Sequence, residues 1–350
     1  METMMTQWSV QWWRYPGYAF GVLSNDKSFR KNPLIGHPYL NELGLHRERV
    51  RLAAGIARNR RKFLGRSLDQ AEREQFERDG FVIRENALAP DVFGRIREFL
   101  KNEPLPAREM RQGQTVTRMI PIGPQALQRL PDLAHFSNNR SIADLVRYVG
   151  GCGGDPIYYI QTVIAEPARK EADPQTALHA DTFHSTSKAW LFLDDVGPED
   201  GPFVFVPGSH KLTRERIEWE YRQSLIASND ARAHHADGSF RITPEELSKL
   251  GDYSPRKVTV PANTLVVADT YAFHSRAVSF RPTVRVELHA YHRGNPFNPL
   301  PLSGMSMIPG IKDRRLDIFL AMSDRKAKRD GRIPTWRDVG ECTAYSEPHI

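Results

Sequence analysis

A histidine and a carboxylate two residues apart can grip one metal ion, because side chains at i and i+2 of a strand leave the same face. The 350-residue chain has three such tripeptides: His46 with Glu48, His179 with Asp181, and His235 with Asp237. With 12 His and 42 acidic residues, about 1.4 would arise by chance, so spacing alone selects nothing. Context does. His46 lies in a stretch of helical spacing, where i and i+2 do not share a face, and His235 sits in a turn of a polar segment. Only His179-Ala180-Asp181 falls in a strand-like run, 177–183. His274 supplies a third ligand, since it follows the apolar run 264–268 and the turn Asp269-Thr270. Two histidines and one carboxylate on one face of an octahedron suit Fe(II) and leave three positions open, room for a bidentate co-substrate and dioxygen. Eleven residues past His274, Arg285 enters another strand. Its planar guanidinium matches a carboxylate at two points, as the distal carboxylate of 2-oxoglutarate requires.

The elements that must position these residues are short. Runs at 157–165, 177–183, 189–196, 203–206, 257–260, 264–268 and 283–291 are separated by Gly and Pro. That texture predicts a mainly β fold, an antiparallel barrel or jelly roll with flanking helices. A helix is expected from Ser67 as N-cap to Arg78, broken at Asp79-Gly80 before a strand at 81–84. A second runs over 90–102 with Val92, Ile96 and Leu100 on one stripe, and a third over 142–148. The polar stretch 212–250 is expected as a helical insertion over the barrel. Three units follow: an irregular aromatic and basic extension at 1–66, the jelly-roll domain at 67–295, and a C-terminal extension at 296–350 packed on the core.

Composition bounds the setting. Hydrophobic content of 40% with 26% charged residues excludes wholesale disorder. Cys152 and Cys342 cannot build a disulfide framework, which points to a reducing compartment. No run of about 18 apolar residues exists, and the N-terminus lacks the basic and apolar regions of a secretory signal. The expected location is the cytoplasm or the inner face of a membrane. The net charge of +7 is concentrated: residues 45–66 hold eight basic side chains against Glu48 alone. Leu45, Leu52, Ile56 and Phe63 recur there at helical spacing, so the segment is a basic amphipathic helix. Two readings of it stay open: a solvated helix packing its apolar stripe on the domain, or a peripheral contact with an anionic membrane. No aromatic stacking pattern accompanies it, so nucleic acid is not expected.

In order, the chain shows Arg78-Asp79-Gly80-Phe81, His179-Ala180-Asp181, the run 189–196, Pro207-Gly208-Ser209-His210, His274 and Arg285. Over roughly 68–295 this resembles the phytanoyl-CoA dioxygenase (PhyH) family of Fe(II)/2-oxoglutarate oxygenases. The resemblance implies His179, Asp181 and His274 as iron ligands, Arg285 as the 2-oxoglutarate anchor, and Gln161 and Ser275 beside the co-substrate. It implies a double-stranded β-helix core and hydroxylation driven by dioxygen and 2-oxoglutarate. Related iron halogenases have a small residue where Asp181 stands, so hydroxylation is favoured over halogenation. Two positions depart from the family pattern: Arg276 replaces a small hydroxylic residue two past the distal histidine, and Asn263 replaces a turn glycine. A metal-binding jelly roll without turnover would lack a ligand or the arginine, and neither is missing.

Lys188, Arg276, Arg118 and His184 are expected at the substrate pocket. Their charge, with the basic helix, suggests an anionic small molecule or a glycolipid presented at a membrane. Some oxygenases similar to this one hydroxylate the Kdo sugar of lipopolysaccharide, which would use both features; an acyl-CoA would use only the charge.

Overall fold

The computed structural model describes residues 15–169, 171–298 and 311–350. Eleven strands are found among them: β1 Phe81–Arg84, β2 Leu105–Gln112, β3 Thr115–Pro121, β4 Ile157–Ala165, β5 Ser187–Phe192, β6 Phe203–Phe205, β7 Arg256–Val258, β8 Thr264–Asp269, β9 His274–Arg276, β10 Thr283–His292 and β11 Arg337–Cys342. Eight form one antiparallel sheet in the order β1-β8-β5-β10-β4-β3-β2-β11. A smaller antiparallel sheet, β7-β6-β9, completes a double-stranded β-helix, or jelly roll.

Alternation along the central strands sorts core from site. On β10, Val286, Leu288 and Ala290 face the main hydrophobic core, and Arg285, Glu287 and His289 face the opposite side. On β5, Ala189 and Leu191 join that core while Lys188, Trp190 and Phe192 face inward. The core is sealed by two helices, Pro90–Asn102 through Val92, Ile96 and Leu100, and Arg140–Gly150 through Ile142, Leu145 and Val149. The second helix starts where the Asn139 side chain accepts the Ile142 N–H. Between the sheets Phe81, Trp190, Phe192, Phe203 and Phe205 form a second, aromatic cluster.

Several expectations are corrected. The ligand segment 177–183 is not a strand: His179 makes isolated antiparallel bridges to His274 and Arg241. The first helix after residue 66 spans Gln70–Asp79, with Asp69 rather than Ser67 as N-cap. The extension holds the expected basic helix as Leu45–Leu64 and two shorter helices that were not expected, Tyr15–Val22 and Pro38–Glu42, with turns between them. Trp8, Trp12 and Trp13, which would open that region, lie outside the described residues.

The basic helix Leu45–Leu64 packs, but not by its apolar stripe. It buries His46, Arg49, Val50, Ala53 and Ala57, while Leu52 and Phe63 are 52% and 65% exposed. Small residues let the helix approach closely, and His46 forms a buried pair with Glu220 at 3.0 Å.

Candidate metal centre

Two loops and one short strand bring the ligand set together. His179 and His274 exchange main-chain hydrogen bonds of 2.9 and 3.0 Å, and the Asp181 N–H donates to the Thr270 carbonyl. The Pro-Gly-Ser-His turn braces the same place. Ser209 Oγ donates to the Val206 carbonyl and accepts the Phe273 N–H, one residue before His274. Gly80 must be glycine there: its φ is +87°, and a Cβ would lie 2.4 Å from the His210 ring.

Each ligand histidine is oriented by its own backbone. His179 Nδ1–H donates to the Ala177 carbonyl at 2.8 Å and His274 Nδ1–H to the Ala272 carbonyl at 2.9 Å. Both Nε2 lone pairs therefore face Asp181, whose Oδ1 lies 3.7 Å from each. The three ligand atoms lie within 4.8 Å of one another, and His274 Nε2 is buried with no hydrogen-bond partner. That orphaned nitrogen beside a carboxylate fits a divalent metal with nitrogen and oxygen donors. Lys188 Nζ holds the other Asp181 oxygen, Oδ2, at 2.7 Å. Burial favours protonated Asp181, but Lys188 and the two imidazoles outweigh it and hold the carboxyl well below its ordinary range. Burial, with His274 beside it, likewise keeps His179 neutral, the form that ligates.

The centre opens on a cavity of about 200 Å³. Gln161, Ser275, Arg276, Arg285 and Lys188 all line it, as expected. Arg285 Nε donates to Glu287 Oε1 at 2.6 Å, its Nη1 donates to the Gly201 carbonyl, and Gln161 Nε2 donates to Glu287 Oε2 at 2.9 Å. Arg276 Nη1 donates to Asp173 Oδ2 at 2.8 Å. All three cations of the cavity are thus ion-paired.

Two expected pocket residues are elsewhere. Arg118 is fully buried in a pair with Glu109 at 2.6 Å and donates to the carbonyls of Thr343, Ser346 and Glu347, so it fastens the C-terminal tail to β2 and β3. His184 is buried behind the ligand segment, its Nδ1–H donating to the Ser185 carbonyl, and does not line the metal cavity.

Other residues were not foreseen. Glu287 follows Arg285 by two, so strand periodicity could have found it. His289 lines the cavity, stacks on Tyr159 at 4.5 Å and carries a buried Nδ1 without a partner. Burial first, then Lys188, keeps it neutral. Asp173 and Trp336 arrive from a loop and from the C-terminal segment, with no signal in their local sequence.

The family model described as phytanoyl-CoA dioxygenase (PhyH) matches residues 76–275, more than half of the chain. A curated relative, L-proline trans-4-hydroxylase of Streptomyces griseoviridis, is 32% identical over 87 residues, which cover 24% of this chain and 32% of that protein. Among solved structures, the epimerase SnoN in complex with Fe3+, alpha ketoglutarate and nogalamycin RO is 20% identical with a TM-score of 0.45, covering 64% of this chain and 83% of that one. HygX from Streptomyces hygroscopicus with nickel and 2-oxoglutarate bound is 18% identical with a TM-score of 0.41, covering 65% and 87%.

Proposed function

The chain belongs to the phytanoyl-CoA dioxygenase (PhyH) family, and from that premise we propose that it is an Fe(II)- and 2-oxoglutarate-dependent dioxygenase that hydroxylates an unactivated C–H bond of an anionic substrate. The observation that carries this is the convergence of His179, Asp181 and His274 within 4.8 Å on a cavity that also presents Arg285. Bound iron, 2-oxoglutarate and dioxygen supply the oxidation, with succinate and carbon dioxide as co-products. The chain holds the metal through the three ligands. Arg285 receives the distal carboxylate through Nη2, which makes no hydrogen bond among the described residues, and Gln161 and Ser275 stand beside it. Trp190, Phe192 and Phe203 wall the cavity against water.

For the substrate, the reading is an acidic sugar of a membrane glycolipid, the Kdo of lipopolysaccharide, met at the inner face of the inner membrane. Its support is the surface of helix Leu45–Leu64: Leu52 and Phe63 are exposed, as are Arg51, Arg58 and Lys62 on it and Arg66 just past its end. No helix among the described residues is long and apolar enough to cross a membrane, so such an association would be peripheral. The test is succinate release by the full chain with Fe(II) and 2-oxoglutarate, against Kdo–lipid A, soluble anionic metabolites and acyl-CoA. Stimulation by soluble acids alone removes the glycolipid. Absence of both Fe(II) binding and 2-oxoglutarate turnover removes the oxygenase reading altogether.

A further inference from the structure

Three sequence features have no part in the metal centre: the basic helix, His184, and His210 of the Pro-Gly-Ser-His turn. All three line one other cavity, of about 250 Å³, on the far side of the ligand segment. Its apolar walls are Phe76, Phe183 and Tyr271. Arg61 at its inner end is already committed, donating to the carbonyls of Tyr148 and Val149, to Ser185 Oγ and to Asp269. Arg58 and Lys211 are not: both are exposed cations with no acidic partner among the described residues. The one acid lining the cavity is Glu77, which accepts a hydrogen bond from Tyr148. His184 is nine-tenths buried or more, and its Nε2 has no partner.

We propose that this cavity is a second binding site, for a phosphate monoester, with Arg58 and Lys211 clasping the phosphate and the aromatic walls holding the group it is attached to. Two unpaired cations on one hollow match a dianion, and the guanidinium fork matches phosphate oxygens in particular. Arg61 behind them adds positive potential without having to move. The site shares no side chain with the iron cavity, so it stands or falls independently of the oxygenase reading. The phosphate could be a soluble metabolite's or a lipid headgroup's, and the experiment separates them.

Full-length protein is titrated by calorimetry with inorganic phosphate, with glycerol 3-phosphate, and with phosphatidylcholine vesicles containing phosphatidic acid, at constant ionic strength. The same is done with R58Q/K211Q and with R222Q/K249Q, which removes equal charge at exposed positions that do not line the cavity. Each charge-assisted contact is worth about tenfold or more in affinity. Glycerol 3-phosphate should therefore bind the wild type and R222Q/K249Q alike and bind R58Q/K211Q at least tenfold more weakly, with unchanged near-UV circular dichroism. A preference for vesicles that R58Q/K211Q abolishes assigns a lipid headgroup. Equal weakening in both double variants reduces the effect to net charge and overturns the proposal. So does a wild type that binds none of the three probes.

Discussion

Two cavities flank the segment from His179 to His184, and they treat their outer cations differently. In the iron cavity Lys188 is 2.7 Å from Asp181, Arg276 is 2.8 Å from Asp173, and Arg285 is 2.6 Å from Glu287. In the other, Arg61 at the inner end is paired with Asp269, but Arg58 and Lys211 face the hollow with no acid against them. A buried cation must be compensated, because desolvation costs more than an isolated charge can recover. An exposed one need not be. The paired cations are held in fixed positions; the unpaired ones keep their charge exposed.

The largest effect belongs to the metal ligands. His179→Ala and Asp181→Ala should each abolish anaerobic Fe(II) binding and succinate formation while the circular dichroism spectrum is retained. Wild-type succinate release by either variant would reassign the centre. Next comes Arg285→Gln, which leaves Glu287 buried and unpaired and should cost about 3–5 kcal/mol of stability in urea unfolding. It should also weaken 2-oxoglutarate binding. The double variant R285Q/E287Q should recover the stability without recovering the binding. If it recovers neither, or if R285Q alone is harmless, the pairing does not govern the cavity.

A smaller effect concerns the exposed stripe. Replacing both Leu52 and Phe63 by Glu removes about 1.5–3 kcal/mol of burial per side chain at a lipid surface and adds repulsion. Sedimentation with anionic vesicles should fall by tenfold or more at unchanged thermal stability. Equal sedimentation by wild type and variant would return the helix to the solvated reading. Deleting residues 1–66 would be a poorer test, since Lys27 donates to the Asp181 carbonyl at 2.6 Å and Arg61 reaches Asp269.

A further effect, small per pH unit, is acid sensitivity. Burial first, then Arg61 and Lys211, push His210 down to about 3. Between that value and its unfolded value near 6.5, the unfolded chain binds a proton that the native chain refuses, so stability falls as pH drops through this window. The slope of unfolding free energy against pH should be shallower in H210Q by up to about 1.4 kcal/mol per pH unit. Identical slopes would mean that His210 is protonated in the native state.

The legible parts of the sequence were those in which burial follows hydropathy. β4 falls on the expected 157–165, and β8 and β10 differ from expectation by one residue at one end. β2 and β3 were missed because their buried positions include Glu109 and Arg118, a pair that is fully buried yet reads as polar surface. The same pair explains the misplacement of Arg118: before folding, an arginine in a strand looks alike whether it meets a ligand or a tail. On helix Leu45–Leu64 the spacing of Leu45, Leu52, Ile56 and Phe63 was real, but the face that packs is the one with Val50, Ala53 and Ala57. The convergence of His179, Asp181 and His274 was accessible because these residue types carry a specific chemistry at specific positions. Glu287 and Asp173, which tune the charge around it, carry no such mark.

The strand order has a kinetic consequence. β1 meets β8 with Phe81 opposite Ala268, and the central strands β8, β5, β10 and β4 all pair with strands distant in the chain. Folds dominated by such distant pairings pay the entropy of closing long loops before contacts reward it, and fold on the order of milliseconds to seconds or slower. The bridge between His179 and His274 joins segments far apart in the chain, so the candidate ligands meet only once that distant pairing has formed. Uptake of Fe(II) during refolding should therefore lag behind recovery of β-sheet signal, making the metal a clock for the last step of folding.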